Sequence, residues 1–436
     1  FCLSRGLGDV YKRQPYTMRI YGKTRSYTRN SMGSQHGYEL AGMTRMGSVP
    51  VSKHLPLCAI SDIAPLASRP IVLLATATIT DDNIFANGLF QNVFVLYKMF
   101  DSAGWTPILI VNTKPTNIEK IPEVLRTTRV LSIEDLVRQP LPIKAYIEIG
   151  MSIDPNLRRF LKMIGAKTFK LYLGNILNID IETPVFYPSM NFSHHVIGEM
   201  DQIWVSPHYG QHSEYACALN QVDPAQEKKI APYVWDPCIL TDGNRRNPQW
   251  RPRKGDEKET FIVMEPNISF QKTGLLPIMA LEGWYRKNKD WNGQVVIVNG
   301  DRMASIPFFK ESILNTLELQ KDGKLIIVGR KDMITMMTDY PSATFVLHQW
   351  NNEYNYMTLE LLWSGFPVIH NAQSWKEYGY CYEGNSVNNM ISKISFVRER
   401  HGELLEAYKS HARLLAWTHS PYNPDLQRAW IKLVCG

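Results

Sequence analysis

Glu360 stands inside the apolar stretch L-E-L-L-W, one turn from Tyr356 and from Trp363. An unpaired buried carboxylate is costly, so the position implies that Glu360 reaches a cleft or a bound partner. Lys272, in Q-K-T-G, precedes a second apolar stretch with helical spacing. A lysine where a strand passes into a helix suits a diphosphate, because the helix start supplies N–H donors and the ammonium supplies charge. Such a residue can equally be a solvated helix end. His348 and Trp350 close the apolar run F-V-L, where they either pack in a core or meet a ligand. His194 and His195 lie beside Asn191 and Ser193, a pairing that serves local hydrogen bonding or contact with a substrate, with His195 the candidate for proton transfer.

The elements that must position these groups alternate. Continuous apolar runs at 70–75, 107–111, 145–149, 168–173 and 203–206 read as strands of a parallel sheet covered on both faces. Between them, 89–103 and 155–164 have helical spacing, each followed by glycine, Gly104 and Gly165. Runs at 260–264, 295–298, 325–328, 345–347 and 366–369 give a second set, with helices expected at 275–285 and 352–363. N-G-L-F-Q-N at 87–92 opens a helix after a strand but is not a G-x-G-x-x-G fingerprint, so a dinucleotide cofactor is not expected. The stretch 242–258 carries D-G-N-R-R-N-P and R-P-R-K-G and reads as a linker.

L-E-L-L-W-S-G-F-P-V-I at 359–369 resembles the L-E-A-x-A-x-G-x-P-V-I signature of retaining glycosyltransferases with the GT-B fold, an α/β architecture of two Rossmann-like domains with a cleft between them. A closer resemblance is to the domain-of-unknown-function family 2827, carried by N-G-L-F-Q-N, M-E-P-N-I with a following K-T, and H-Q-W-N-N with a following G-F-P-V-I-H-N; it covers roughly 69–417. The glycosyltransferase likeness implies that Glu360 binds the ribose hydroxyls of a nucleotide diphosphate sugar, with Tyr356 and His348 beside it. It implies that Asn87 and Gly88 lie near the donor phosphates and that Lys272 takes the family's phosphate-binding lysine position. Asn267 stands near the place of the family's arginine, and an asparagine gives no bidentate charged grip. The family's second glutamate falls on Asn352, next to Glu353. Either Glu353 substitutes by a slip of one residue, or Asn352 makes the site one of neutral hydrogen bonding.

Composition bounds the rest. A hydrophobic share of 44% with 20% charged residues is that of a globular protein, and 436 residues suffice for two domains. Apolar runs such as Ile71 to Ala75 are too short to span a bilayer. Six cysteines without C-x-x-C spacing suit a reducing compartment, hence the cytoplasm. The formal charge of +7 divides into +2 at 1–14 (Arg5, Lys12 and Arg13 against Asp9), +5 at 15–55, and zero beyond. The folded part therefore has no basic surplus for a nucleic-acid partner. Ser4 to Gln14 back-translates into a common transposase-adapter sequence, so 1–14 reads as carried-over adapter, with Met18 a candidate start. The expected division is then a basic low-order segment at 15–68, an acceptor domain at 69–241, the linker, a nucleotide-sugar donor domain at 259–415, and at 416–436 a helix returning to the first domain. A glycosyltransferase that uses no metal and no cofactor is expected, with a glycan or other hydroxyl acceptor. A nucleotide-sugar epimerase and a non-catalytic sugar-nucleotide or glycan-binding protein are the alternatives.

Overall fold

The computed structural model describes residues 68–75, 88–111, 128–138, 141–149, 155–187, 189, 195–223, 229–241 and 247–436. Asn87, Asn191, Ser193, His194, the adapter-like start, the basic segment up to 67 and residues 242–246 of the linker lie outside them. The described residues form two compact units. One runs to Ser206 and adds Gly210–Ala231 and Trp430–Gly436; the other holds Pro207–Tyr209 and Pro232–Ala429.

The first unit contains a six-stranded sheet built from β1 (Ile71–Ala75), β2 (Thr106–Val111), β3 (Val130–Ser132), β4 (Ile143–Ile149), β5 (Lys167–Tyr172) and β6 (Gln202–Val205), in the order β3-β2-β1-β4-β5-β6. Every pairing is parallel. Every residue of β1 is fully buried, as its unbroken apolar run requires of a central strand with both faces covered. The helix Gly88–Ser102 buries Val93, Phe94, Met99 and Phe100. It stops where Gly104 takes φ +83°, with Trp105 N–H donating to the Phe100 carbonyl and Gly104 N–H to Asp101, the paired bonds of a Schellman cap. Trp430 packs edge-on against Phe100 and Trp204.

The second unit repeats the plan with β7 (Thr260–Val263), β8 (Gln294–Val298), β9 (Leu325–Val328), β10 (Thr344–Val346), β11 (Val368–His370) and β12 (Tyr380–Cys381), in the order β12-β11-β10-β7-β8-β9. All its pairings are parallel too. Its core joins Phe261, Ile262, Val295–Val298 and Phe345 to Leu281 and Trp284 of the helix Leu275–Tyr285 and to Met390 and Ile394 of the helix Val387–Thr418. From β7 the chain steps outward through β8 and β9, then returns to β7's other side as β10. β7 and β10 therefore flank a topological switch point, the place where parallel α/β sheets open a crevice beyond their carboxyl ends.

The element expected as a helix at 352–363 begins later, at Tyr356–Trp363. Asn351 takes a left-handed φ of +49°, and the Asn355 side chain accepts from the Met357 N–H, so 352–355 form the entry loop and its cap. A long helix runs Val387–Thr418, and the Ser386 side chain caps it by accepting from the Asn389 N–H. Among the described residues no helix is long and apolar enough to cross a membrane.

Candidate functional site

The switch point of the second unit is lined by buried polar side chains joined in one chain. Glu265, just past the end of β7, is fully buried. One carboxylate oxygen accepts from the His348 backbone N–H at 3.0 Å, and the other from Gln349 Nε2 at 2.7 Å. Gln349 Oε1 accepts from Asn352 Nδ2 at 2.8 Å, and Asn352 Oδ1 accepts from the Tyr209 hydroxyl. Asn371, just past β11, clamps the backbone of Gln349, accepting from its N–H at 2.9 Å and donating to its carbonyl at 2.7 Å. Burying polar groups on this scale is tolerable only because each link is hydrogen-bonded. Asn352 is thus buried within the network, while Trp350, which could have packed in the core, is 41% exposed.

Lys272 approaches the same place from the loop between β7 and the helix Leu275–Tyr285. That loop is a tight turn: Asn267 N–H donates to the Lys272 carbonyl at 3.0 Å, and Lys272 N–H to Ser269 at 3.2 Å. Asn267, at a left-handed φ of +54°, accepts from Gly274 N–H at 2.7 Å and donates to the Asn299 carbonyl at 3.2 Å. Its side chain is therefore bound into the loop fold. A Cβ on Gly274 would meet Val263 Cγ1 at 2.9 Å, so the helix start fits this close to β7 only with glycine.

The Lys272 ammonium is buried, and burial pulls its pKa down to about 7, opposed by the nearby Glu265 carboxylate. Burial likewise pushes Glu265 up to about 8, against the pull of its two donors and of Lys272. His208 stands beside Lys272 and Asn352; burial and the lysine charge hold its imidazole neutral, with a pKa down to about 3. Its ring meets those of Tyr209 and Tyr354 in tilted contacts at centroid distances of 3.7 and 4.9 Å.

The remaining candidates of this unit occupy the helix Tyr356–Trp363 and its entry. Glu360 is 8% exposed and close enough to Tyr233 and Tyr356 for its charge to raise both phenols, after burial has done most of the work. The Tyr356 hydroxyl donates to the Val234 carbonyl at 2.7 Å, so its polar end is engaged by the backbone. Glu353 lies in the entry loop, half-buried, with one carboxylate oxygen accepting from the Ser374 N–H at 2.9 Å and hydroxyl at 2.7 Å. Gly365, at φ +74°, closes the helix with the Schellman pair Phe366 N–H to Leu361 and Gly365 N–H to Leu362.

In the first unit, Gly88 opens the helix Gly88–Ser102, with its carbonyl accepting from Asn92 Nδ2 at 2.8 Å. His195 is partly exposed, its Nε2 3.6 Å from Asp180, which also accepts from the Tyr215 hydroxyl at 2.6 Å. A buried charge cluster sits on β4 and β5: Glu148 accepts from Lys170 Nζ at 2.8 Å, Tyr146 at 3.1 Å and Arg158 at 3.3 Å. Arg158 also donates to Glu199, so two cations meet two carboxylates, and the Glu148–Lys170 contact crosses the paired strands β4 and β5. Among the described residues no group of three or more His, Cys, Asp or Glu is arranged to hold a metal ion.

Residues 73–434 match the family model described as protein of unknown function, DUF2827. The chain belongs to this family. No curated protein matches the sequence. Among solved structures, an O-GlcNAc transferase from Thermobaculum terrenum is similar at 11% identity and a TM-score of 0.50, over 85% of this chain and 69% of that one. An alpha-glucosyltransferase in complex with UDP is similar at 10% identity and a TM-score of 0.50, over 84% and 100%. The alpha-glucosyltransferase with UDP and a 13-mer DNA gives the same identity and score, over 84% and 99%. The fold of this DUF2827 protein is that of GT-B glycosyltransferases: α/β, with two Rossmann-like parallel sheets.

Several residues of the DUF2827 site escaped the sequence reading. Glu265 had a signal, a carboxylate directly after the strand T-F-I-V-M, and Gln349 lay inside the quoted H-Q-W-N-N. Tyr209 and His208 had none, since only folding brings them to Asn352.

Proposed function

We propose that the protein is a glycosyltransferase that moves a sugar from a nucleotide diphosphate sugar to a glycan or other hydroxyl acceptor, with retention. The observation that carries this reading is the buried Lys272, beside Glu265 and neutral His208, at the switch point of a Rossmann-type sheet in a GT-B-like fold. A buried, tunable cation at a helix start suits a diphosphate, and Glu360 suits the ribose hydroxyls. The solved alpha-glucosyltransferase of like fold carries UDP, which supports the donor class. In this reading the second unit takes the donor, His195, Asn87 and Gly88 serve the first unit's share, and Glu353 or Asn352 faces the developing charge on the sugar. No metal is invoked, because Lys272 and the helix start neutralise the diphosphate. The free thiols of Cys217, Cys381 and Cys435 suit a cytoplasmic setting.

One observation favours a second reading. Asn352 is held on both sides by Tyr209 and Gln349 and carries no charge, which suits binding of a sugar nucleotide without transfer.

The test is a panel of uridine, guanosine, cytidine and adenosine diphosphate sugars, followed for nucleoside diphosphate release with and without hydroxyl acceptors. Release supports the transferase, and the anomeric configuration of the product decides retention. Conversion of the donor alone would point to an epimerase, and binding without turnover to the second reading.

A further inference from the structure

We propose that His348 is a hydrogen-bond acceptor of fixed tautomer that reads a hydroxyl of the bound ligand at the switch point of the second sheet. The inference rests on the sugar-nucleotide reading above. His348 follows β10, and its backbone N–H is held by Glu265, which follows β7, so the residue is tied to both strands that flank the switch point. Its side chain is fully buried.

The tautomer follows from the hydrogen atoms at hand. The Tyr382 hydroxyl donates to the Leu347 carbonyl at 2.9 Å and lies 2.8 Å from His348 Nδ1. A phenol has one hydrogen, and a carbonyl can only accept. The Tyr382 oxygen must therefore accept from Nδ1–H. A neutral imidazole has a single N–H, so Nε2 holds a bare lone pair. Burial keeps the ring neutral by lowering its pKa to about 4. Among the described residues Nε2 has no hydrogen-bond partner. The opposite tautomer would bury an unanswered N–H there and also take the phenol's hydrogen from Leu347.

A buried lone pair repels an anion and invites a neutral donor. Lys272 meets the phosphates; Nε2 takes an O–H. Two hydroxyl sources carry this chemistry, the ribose and the transferred sugar.

The test uses the full chain with 15N-labelled histidine. Long-range 1H–15N correlations at pH 7.5 should show His348 protonated on Nδ1 and bare on Nε2. Titration with UDP-glucose, GDP-mannose, CDP-glucose and ADP-glucose should move the Nε2 resonance for each donor that binds by calorimetry. Deoxyribose and deoxysugar analogues of that donor then separate the sources: the analogue lacking the read hydroxyl should bind about tenfold weaker and leave Nε2 unmoved. His348→Phe should abolish that tenfold discrimination. Tyr382→Phe, which leaves His348 in place, should let the proton reach Nε2 and lose the same discrimination. A proton on Nε2 in the free protein overturns the proposal and leaves the glycosyltransferase reading intact. So does a donor that binds without moving Nε2. If none of the four donors binds, the sugar-nucleotide reading falls and this inference with it.

Discussion

Lys272→Met tests the electrostatics of the site most directly. In the wild type, burial lowers the lysine to about 7 while Glu265 rises to about 8. Burial disfavours the charged form of each, so the pair titrates around neutral pH. A bound diphosphate favours the charged ammonium, so binding should take up about one proton. At pH 6 Lys272 is already charged. At pH 8.5, about 1.5 units above its pKa, the charged form has fallen about 30-fold, which bounds the loss of donor affinity. Ionisation of Glu265 over the same range adds a negative charge near the ligand and acts in the same direction. The variant should lose about 1.5–3 kcal/mol of charge-assisted binding at pH 6, tenfold or more, while nucleoside binding is unchanged. Calorimetry of a UDP-sugar at pH 6 and 8.5, in buffers of different ionisation enthalpy, reads affinity and proton count together. A wild-type affinity that strengthens with pH, or a variant that keeps it, refutes the argument.

Glu360→Gln should cost roughly tenfold in donor affinity with little change in melting temperature. It should also erase the preference for the ribonucleotide over its 2′-deoxy analogue; unfolding of the variant, with a wild type indifferent to that hydroxyl, would make Glu360 a structural carboxylate. Glu353→Gln should lower turnover and leave donor binding nearly unchanged, with stability within about 1 kcal/mol, since an amide oxygen can still accept from Ser374; unaltered turnover would reduce Glu353 to a cap. Acid should unfold the protein early. His348, His370, His401 and His419 are all buried, and burial lowers each to about 4. Each contributes stability that is present above its ordinary value near 6.5 and lost as pH falls towards 4, at about 1.4 kcal/mol per unit. Glu265 opposes them, because a raised carboxyl gains stability as pH falls from about 8. Melting curves should collapse between pH 6 and 4.5, and less steeply for His401→Gln; a flat profile contradicts the burial argument.

The strands were legible because their residues need no distant partner to declare themselves. Ile71–Ala75 and Thr260–Val263 are continuous apolar runs, and only a doubly covered parallel strand buries such a run. β3 and β12, at three and two residues, sit in no longer apolar run and exist through their neighbours. The helix start at Tyr356 was missed because the polar residues Asn352, Glu353 and Asn355 would equally suit a solvent-facing first turn, whereas the Asn355 cap decides where the backbone turns. Glu360 was legible as a charge out of place. The buried Glu265 was less so, because what makes it tolerable, Gln349, lies 84 residues away. Tyr209 lies 143 residues from Asn352. Sequence spacing carries periodicity, and these contacts have none.

The same contrast explains what Asn352 and Asn267 do. Read from the resemblance alone, each is a lost charge: a glutamate in one case, an arginine in the other. In the folded chain both are working hydrogen-bond hubs. Asn352 links Tyr209 to Gln349, and Asn267 ties Gly274 to the end of β8. An ionised carboxylate at 352 could accept from Tyr209 but could not donate to Gln349 Oε1, and it would bury an anion close to Glu265, whose own charged form burial already disfavours. An arginine at 267 could not accept from the Gly274 N–H, the bond that fixes the helix start beside Lys272. Both replacements keep the polar chain satisfied and leave Lys272 to supply positive charge at the helix start. A lysine whose charge depends on pH and on Glu265 binds anions conditionally, where an arginine would bind them at any pH. Restoring the arginine should therefore not restore a stronger site: Asn267→Arg should disorder the start of the helix and weaken diphosphate binding, although it adds a positive charge.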